Sequence, residues 1–146
     1  MHDTNSQACL LAAQHLLARL FQFHDTRNFQ AEIQCFTEDC VWHRKGRQLE
    51  GRADILRTLQ ARPASLVTMH LVTNVMVDPE GDDAATVAFF LTTYSHDDGT
   101  PPTGPIAPRR LPSVGIGRAT IRCRDGIWRI RTLSTEEWTF SAARGR

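Results

Sequence analysis

The hydrophobic period of this chain changes near Pro63, and that change limits its possible folds more than any other feature. Before it, Leu10, Ala13, Leu17, Leu20, Phe21 and His24 recur at helical spacing and predict an amphipathic helix from Ser6 to about Thr26, closed by His24 and Asp25. A second, short helix, "NFQAEIQCF", follows Asn28 as its cap, with Phe29, Ile33 and Phe36 on one side. "TEDCVWHRKGRQLEG" reads as a strand, a turn near Gly46 and a return. "GRADILRTLQAR" is a third helix that presents Ile55, Leu56 and Leu59 and ends at Pro63.

Beyond Pro63 the pattern is one of strands. They cover residues 66–78, 84–96, 113–123 and Ile127 to about Thr139, with "PEGDD" and "RDG" as hairpin turns. Helices first and a long antiparallel meander afterwards argue an α+β fold, a curved sheet wrapped around the N-terminal helices on one side. "DDGTPPTGPIAPRRLP" carries five of the seven prolines and is irregular: a lid, an interface loop or a mobile segment. A chain of 146 residues is expected to form one domain, 1–146, with a sizeable core.

Composition removes several function classes. The net charge is +1 and no apolar run approaches a membrane span, so no membrane partner is expected. The start "MHDTNSQACLL" lacks a basic region followed by a sustained apolar stretch, which makes the cytoplasm the expected compartment. Cys9, Cys35, Cys40 and Cys123 form no CxxC pair and read as reduced, half-buried small hydrophobes. Cys35, Cys40 and His43 match no familiar zinc spacing. Sixteen arginines face one lysine, and nine of them lie from Arg109 onward among only three acidic residues. Alternation in "TIRCRDGIWRIRTL" places such arginines on one face of a strand pair, with stems on apolar surface and heads in water. No interleaved aromatics are present to stack bases, so no nucleic-acid partner is expected. "VGIGRAT" lies within a strand pattern and is followed by another strand, which rules out a dinucleotide turn. There is no phosphate-binding loop or nucleophile elbow, and Lys45 lies in a turn, so no cofactor and no amine-based covalent catalysis are expected.

"RLFQFHDTRNFQAEIQCFTEDCVWHRKGRQLEGRADIL", "MHLVTNVMVDPEGDDAATVAFFLTTY" and "RDGIWRIRTLS" together resemble the SnoaL-like branch of the nuclear transport factor 2-like superfamily. The features that carry the resemblance are the Asp near the end of the first helix, "FTEDCVW", "LEGRADI", and the "HLVTN...D..GD.A" strand with its hairpin. The resemblance implies a cone-shaped α+β barrel over a deep apolar pocket. It also implies association through the outer sheet face as a homodimer or homotrimer. The superfamily holds scytalone dehydratase, ketosteroid isomerase, polyketide cyclases, hexachlorocyclohexane dehydrochlorinase and the non-catalytic small subunits of ring-hydroxylating dioxygenases, so fold alone does not decide activity. The scytalone dehydratase-like and dehydrochlorinase-like enzymes resemble this chain most, with an Asp at the position of Asp25 and a His at that of His70. In that scheme His70 is a general base toward substrate carbon and Asp25 holds it.

The same resemblance sets His24 and His43 where scytalone dehydratase has tyrosines, His96 on its second pocket histidine, and Gly115 and Gly117 on a serine and an asparagine. Those losses disfavour scytalone itself as substrate. His24, His43 and His96 are expected to donate to a carbonyl or enolate instead. Strand alternation places Phe90 and Tyr94 on the face of His96, and all three are expected in the substrate pocket. His70 alone reads as a satisfied strand histidine, and Asp25 alone as a helix C-terminal residue set against the helix dipole. Together they read as a dyad in which the carboxylate fixes the tautomer and stabilises the imidazolium. A facial triad of Asp25, His70 and a third histidine for iron is disfavoured by the absence of ligand pairs at helix-face spacing, and no metal is expected. The expected function is that of a cofactor-independent lyase or isomerase acting on a small cyclic or polyketide-like carbonyl compound. The alternative is a non-catalytic ligand-binding or assembly subunit. Replacing His70 or Asp25 is expected to remove activity with little loss of stability.

Overall fold

The computed structural model describes residues 4–142. Three helices, α1 (Thr4–Asp25), α2 (Phe29–Ile33) and α3 (Gly51–Gln60), combine with six strands, β1 (Phe36–Arg44), β2 (Arg47–Glu50), β3 (Val67–Glu80), β4 (Ala84–His96), β5 (Ser113–Arg124) and β6 (Ile127–Phe140). The strands form one sheet in the order β2-β1-β6-β5-β4-β3. All neighbours are antiparallel except β1 and β6, which run parallel. The fold class is the expected one. The parallel pair was not foreseen, because strand periodicity says nothing about which strand a distant one will join.

Local chemistry explains most boundaries. Asn28 ends the link from α1 by accepting the backbone N–H of Ala31. Lys45 and Gly46 both adopt positive φ, as do Asp125 and Gly126, so both pairs make two-residue turns that suit the right-handed strand twist. Pro79 lies inside β3 rather than in the turn; β3 is an edge strand, where proline is tolerated.

The core lies between α1 and the concave face of the sheet, where Leu17, Leu20, Phe36, Phe89, Ile121, Ile130 and Leu133 are all but inaccessible. Two irregularities shape that face. Asn74, at φ +53°, forms a β-bulge: Thr73 pairs with Phe90 while Met76 pairs with Ala88. The bulge reverses the alternation, so that His70 and Val72 face inward before it and Val75 and Val77 after it. Met76 is therefore 68 % exposed. Gly117 lies opposite Phe89, whose ring occupies the space a side chain there would need. Among the described residues no helix is long and apolar enough to cross a membrane.

Candidate active site

His24 continues the buried stripe of α1 (Ala13, Leu16, Leu17, Leu20, Phe21), so its ring points into the core from the last turn. Asp25 follows it, and its carboxylate reaches β3. Oδ2 accepts the backbone N–H of His70 at 2.7 Å, while Oδ1 accepts the Thr68 hydroxyl at 2.9 Å and Nδ1–H of the His70 ring at 2.6 Å. Three donors answer the unfavourable position of a carboxylate at a helix C-terminus. An ionised carboxylate only accepts, so Nδ1 carries the proton and Nε2 is left as the basic atom of His70. The side chains of His70 and Asp25 are 11 % and 13 % exposed, and water competes little for these bonds. Phe21 stacks on the His70 ring with centroids 4.8 Å apart and holds its plane.

The network continues beyond the dyad. Arg62, just past α3, donates from one Nη to the Thr68 hydroxyl at 3.2 Å and from the other to Nε2 of His24 at 2.7 Å. Arginine cannot accept, so His24 must be neutral at Nε2 and donate its Nδ1–H to Oε1 of Glu32, 2.7 Å away. Burial, followed by the charge of Arg62, pushes the His24 imidazole well below its ordinary range. Burial pushes the Glu32 carboxyl up to about 8. The contact between His24 and Glu32 is thus a neutral hydrogen bond rather than an ion pair. Glu32, His24, Arg62, Thr68, Asp25 and His70 form one continuous chain.

This chain is one wall of a cavity of about 250 Å³. Phe21, Trp42, Leu66 and Leu91 supply apolar surface, Thr93, Ser95 and Thr135 supply hydroxyls, and Arg44, Lys45, Arg62 and Arg110 supply charge. The size lies just below the usual range of small-molecule sites, roughly 300–1,000 Å³, which limits any ligand to a compact one. Arg110 and Leu111 belong to the proline-rich segment, whose C-terminal end therefore borders the cavity.

Of the residues expected in the pocket, His70 and His24 line this cavity, and Asp25 stands behind His70. The other four lie elsewhere. Phe90 and Tyr94 are 47 % and 42 % exposed on the outer face of β4, because Phe89, Leu91, Thr93 and Ser95 take the inner one. His96 shares that outer parity and lies 3.7 Å from Asp98. His43 points away from the cavity because Trp42 and Arg44 occupy the inner positions of β1. His24 also differs from the expectation: both its ring nitrogens are engaged, so it serves the network and has no donor left for a substrate. For the same reason it cannot ligate a metal, and among the described residues no three His, Cys, Asp or Glu side chains converge as metal ligands.

The residues not foreseen are Glu32, Arg44, Arg62 and Thr68. Glu32 carried a signal, since it falls on the same helical stripe as Phe29, Ile33 and Phe36. Thr68 is two residues before His70, on the same strand face. Nothing in the local sequence marks Arg62.

Comparison with known proteins agrees with this architecture. A presumptive scytalone dehydratase from Novosphingobium aromaticivorans DSM 12444 superimposes with a TM-score of 0.79 at 16 % identity, covering 97 % of this chain and 92 % of its own. The hexachlorocyclohexane dehydrochlorinase LinA-type3 from Novosphingobium barchaimii LL02 gives 0.77 at 16 % identity, with 97 % and 94 % covered. A protein of unknown function from Mycobacterium tuberculosis, a variant of Rv3472, gives 0.73 at 21 % identity, with 90 % and 72 % covered. At such identities the likeness is one of fold. No curated protein sequence matches the chain significantly. Residues 10–134 match the SnoaL-like domain, and this chain belongs to that family.

Proposed function

We propose that the protein is a cofactor-independent lyase or isomerase that removes a proton from carbon next to a carbonyl, with His70 as the base and Asp25 as its positioning partner. The observation that carries this reading is the 2.6 Å contact from Nδ1 of His70 to Asp25 in the wall of a cavity that fits a compact ligand. Nε2 takes the proton, and the C–H electron pair moves onto the carbonyl oxygen as an enolate. The enolate then either expels a β-substituent, which leaves with the proton of the His70 imidazolium, or is reprotonated at another carbon by that imidazolium. Elimination and double-bond shift are the two outcomes, and in both the base returns to its starting state. The forming imidazolium is stabilised by Asp25, and the forming enolate by the cationic lining. A placed base of this kind lowers the barrier by roughly 3–5 kcal/mol.

The testing experiment is α-proton exchange in deuterium oxide, followed by proton NMR, over a panel of small cyclic ketones and β-hydroxy ketones. Exchange with the wild type that is lost in His70→Ala is the expected result. Failure to exchange any compound that demonstrably binds would leave a ligand-binding protein in place of an enzyme. Association of copies through the outer face belongs to the same reading, because Met69, Leu71, Met76, Phe90 and Tyr94 are exposed there. Sedimentation of the wild type against Phe90→Glu tests it, with a dimer or trimer converted to monomer as the expected outcome.

A further inference from the structure

Four cationic side chains, Arg44, Lys45, Arg62 and Arg110, line the cavity of His70, and no acidic one does. Stabilising a single forming enolate oxygen does not call for four cations. Two of the four are substantially removed from solvent: burial lowers both Arg44, to about 10, and Arg62, and each remains charged at neutral pH. The nearby acids balance them only in part, since the Asp25 carboxylate offsets some of the Arg62 charge. Glu32 lies behind His24 and holds its proton at neutral pH. Asp25 is reached from Arg62 only through the Thr68 hydroxyl and is already engaged by His70.

Nη1 of Arg44 and Nε of Arg62 are shielded from solvent and bond no acceptor among the described residues. Buried guanidinium donors are normally satisfied, so an acceptor in the cavity that both side chains line would give each of them a reason to turn toward it. Both residues border the same cavity as the base. The guanidinium carbon of Arg44 sits 4.7 Å above the Trp42 ring, whose centroid is 6.0 Å from that of His24. Arg62 bonds that same His24, which stands 5.2 Å from the His70 ring.

We propose that the substrate is a small organic carboxylate whose anionic group is held by Arg44 and Arg62, while His70 addresses a carbon beside its carbonyl. The second half of this assignment rests on the acid–base reading of the dyad. Two guanidinium groups suit a planar monoanion. Phe21, Trp42, Leu66 and Leu91 set apolar surface beside that charge, which fits the organic body of a carboxylate and not inorganic phosphate. Lys45 and Arg110, exposed at the rim, add a field that draws anions toward the opening.

The test is equilibrium binding by calorimetry with the full chain at pH 7, using benzoate, its neutral isostere benzamide, and inorganic phosphate as probes. Benzoate is expected to bind at least tenfold more tightly than either of the others. Arg44→Met is expected to weaken benzoate at least tenfold and leave benzamide unchanged. Arg57→Gln, on the exposed side of α3 where Arg57 pairs with Asp54, should change neither. The wild-type preference for benzoate over benzamide needs no variant to fold. Absence of benzoate binding at millimolar concentration, equal binding of benzamide, tighter binding of phosphate, or an unchanged benzoate affinity in Arg44→Met would each overturn the proposal. The exchange assay on the wild type separates it from the catalytic reading. Retained benzoate selectivity with no exchange activity in the wild type removes the enzyme and keeps the anion site. Exchange activity without benzoate selectivity does the reverse.

Discussion

Asp25 holds His70 at two points, accepting its backbone N–H at Oδ2 and its ring Nδ1–H at Oδ1. The strand and the imidazole are thereby fixed by a single carboxylate, and this alters what substitution should do. An Asn at position 25 keeps one acceptor oxygen and turns an amide donor toward another donor. Asp25→Asn should lower proton exchange by about 10²-fold or more through the wrong tautomer and also cost about 1–3 kcal/mol of stability. The loss of stability departs from the expectation drawn from sequence, which did not include the backbone bond. His70→Ala should lower exchange by about 10²- to 10⁴-fold. Urea midpoints measured beside exchange rates check both, and an Asp25→Asn protein as stable as wild type would contradict the double grip.

The pair of His24 and Glu32 predicts how stability varies with pH. Glu32 ionises at an ordinary 4.5 when unfolded and at about 8 when folded. Over that window the folded state binds more protons, so stability falls as pH rises and levels off above 8. His24 is depressed below its ordinary 6.5, and its contribution is lost as pH falls below that value. The two slopes oppose each other below 6.5, and above it the Glu32 slope stands alone, worth up to about 2 kcal/mol by pH 8. Glu32→Gln should remove this decline. Melting temperatures at pH 6.5 and 8.5 measure it: wild type falls and the variant stays level.

At Asn74 the left-handed backbone belongs to the bulge that lets His70 before it and Val77 after it both face inward. A β-branched residue there opposes the conformation, and Asn74→Val is expected to cost about 1–2 kcal/mol. Asn74→Gly should be nearly neutral. Chemical denaturation of both variants is the check, and equal losses would argue against backbone strain as the cause.

Gly117 and Phe89 form a space-sharing pair across β4 and β5. A Cβ at Gly117 would lie 2.1 Å from the Phe89 ring, so Gly117→Ala should cost about 1–3 kcal/mol. Phe89→Leu should recover part of that loss in the double variant. Additive effects in the double-mutant cycle would show that the two sites do not interact.

How far the site was legible depends on the range of the interaction involved. The helix ending at Asp25, the capped turn at Asn28 and the strand carrying His70 are written in contiguous residues, and the structure has all three. The common parity of Phe90, Tyr94 and His96 was legible too, but not the face they take. Alternation relates residues within a strand to one another and leaves open which set the core receives. In β4 that choice falls to Phe89, which fills the gap over Gly117 and meets Phe21 edge to face at 6.3 Å.

The sequence by itself determined the element order, the turn positions and the α+β class, because period, caps and positive-φ turns act over a few residues. It also carried the match to the SnoaL-like domain over residues 10–134. The tertiary structure decided which side chains form the site. Burial of Glu32 against His24, the reach of Arg62 across to Thr68, the parallel pairing of β1 with β6, and the bulge at Asn74 all depend on contacts between distant segments. Those contacts arise only when the sheet closes over α1. A histidine that looked like a donor to substrate thus proves to be engaged on both nitrogens, and Arg44 and Arg62, which no local pattern marked, prove to line the cavity.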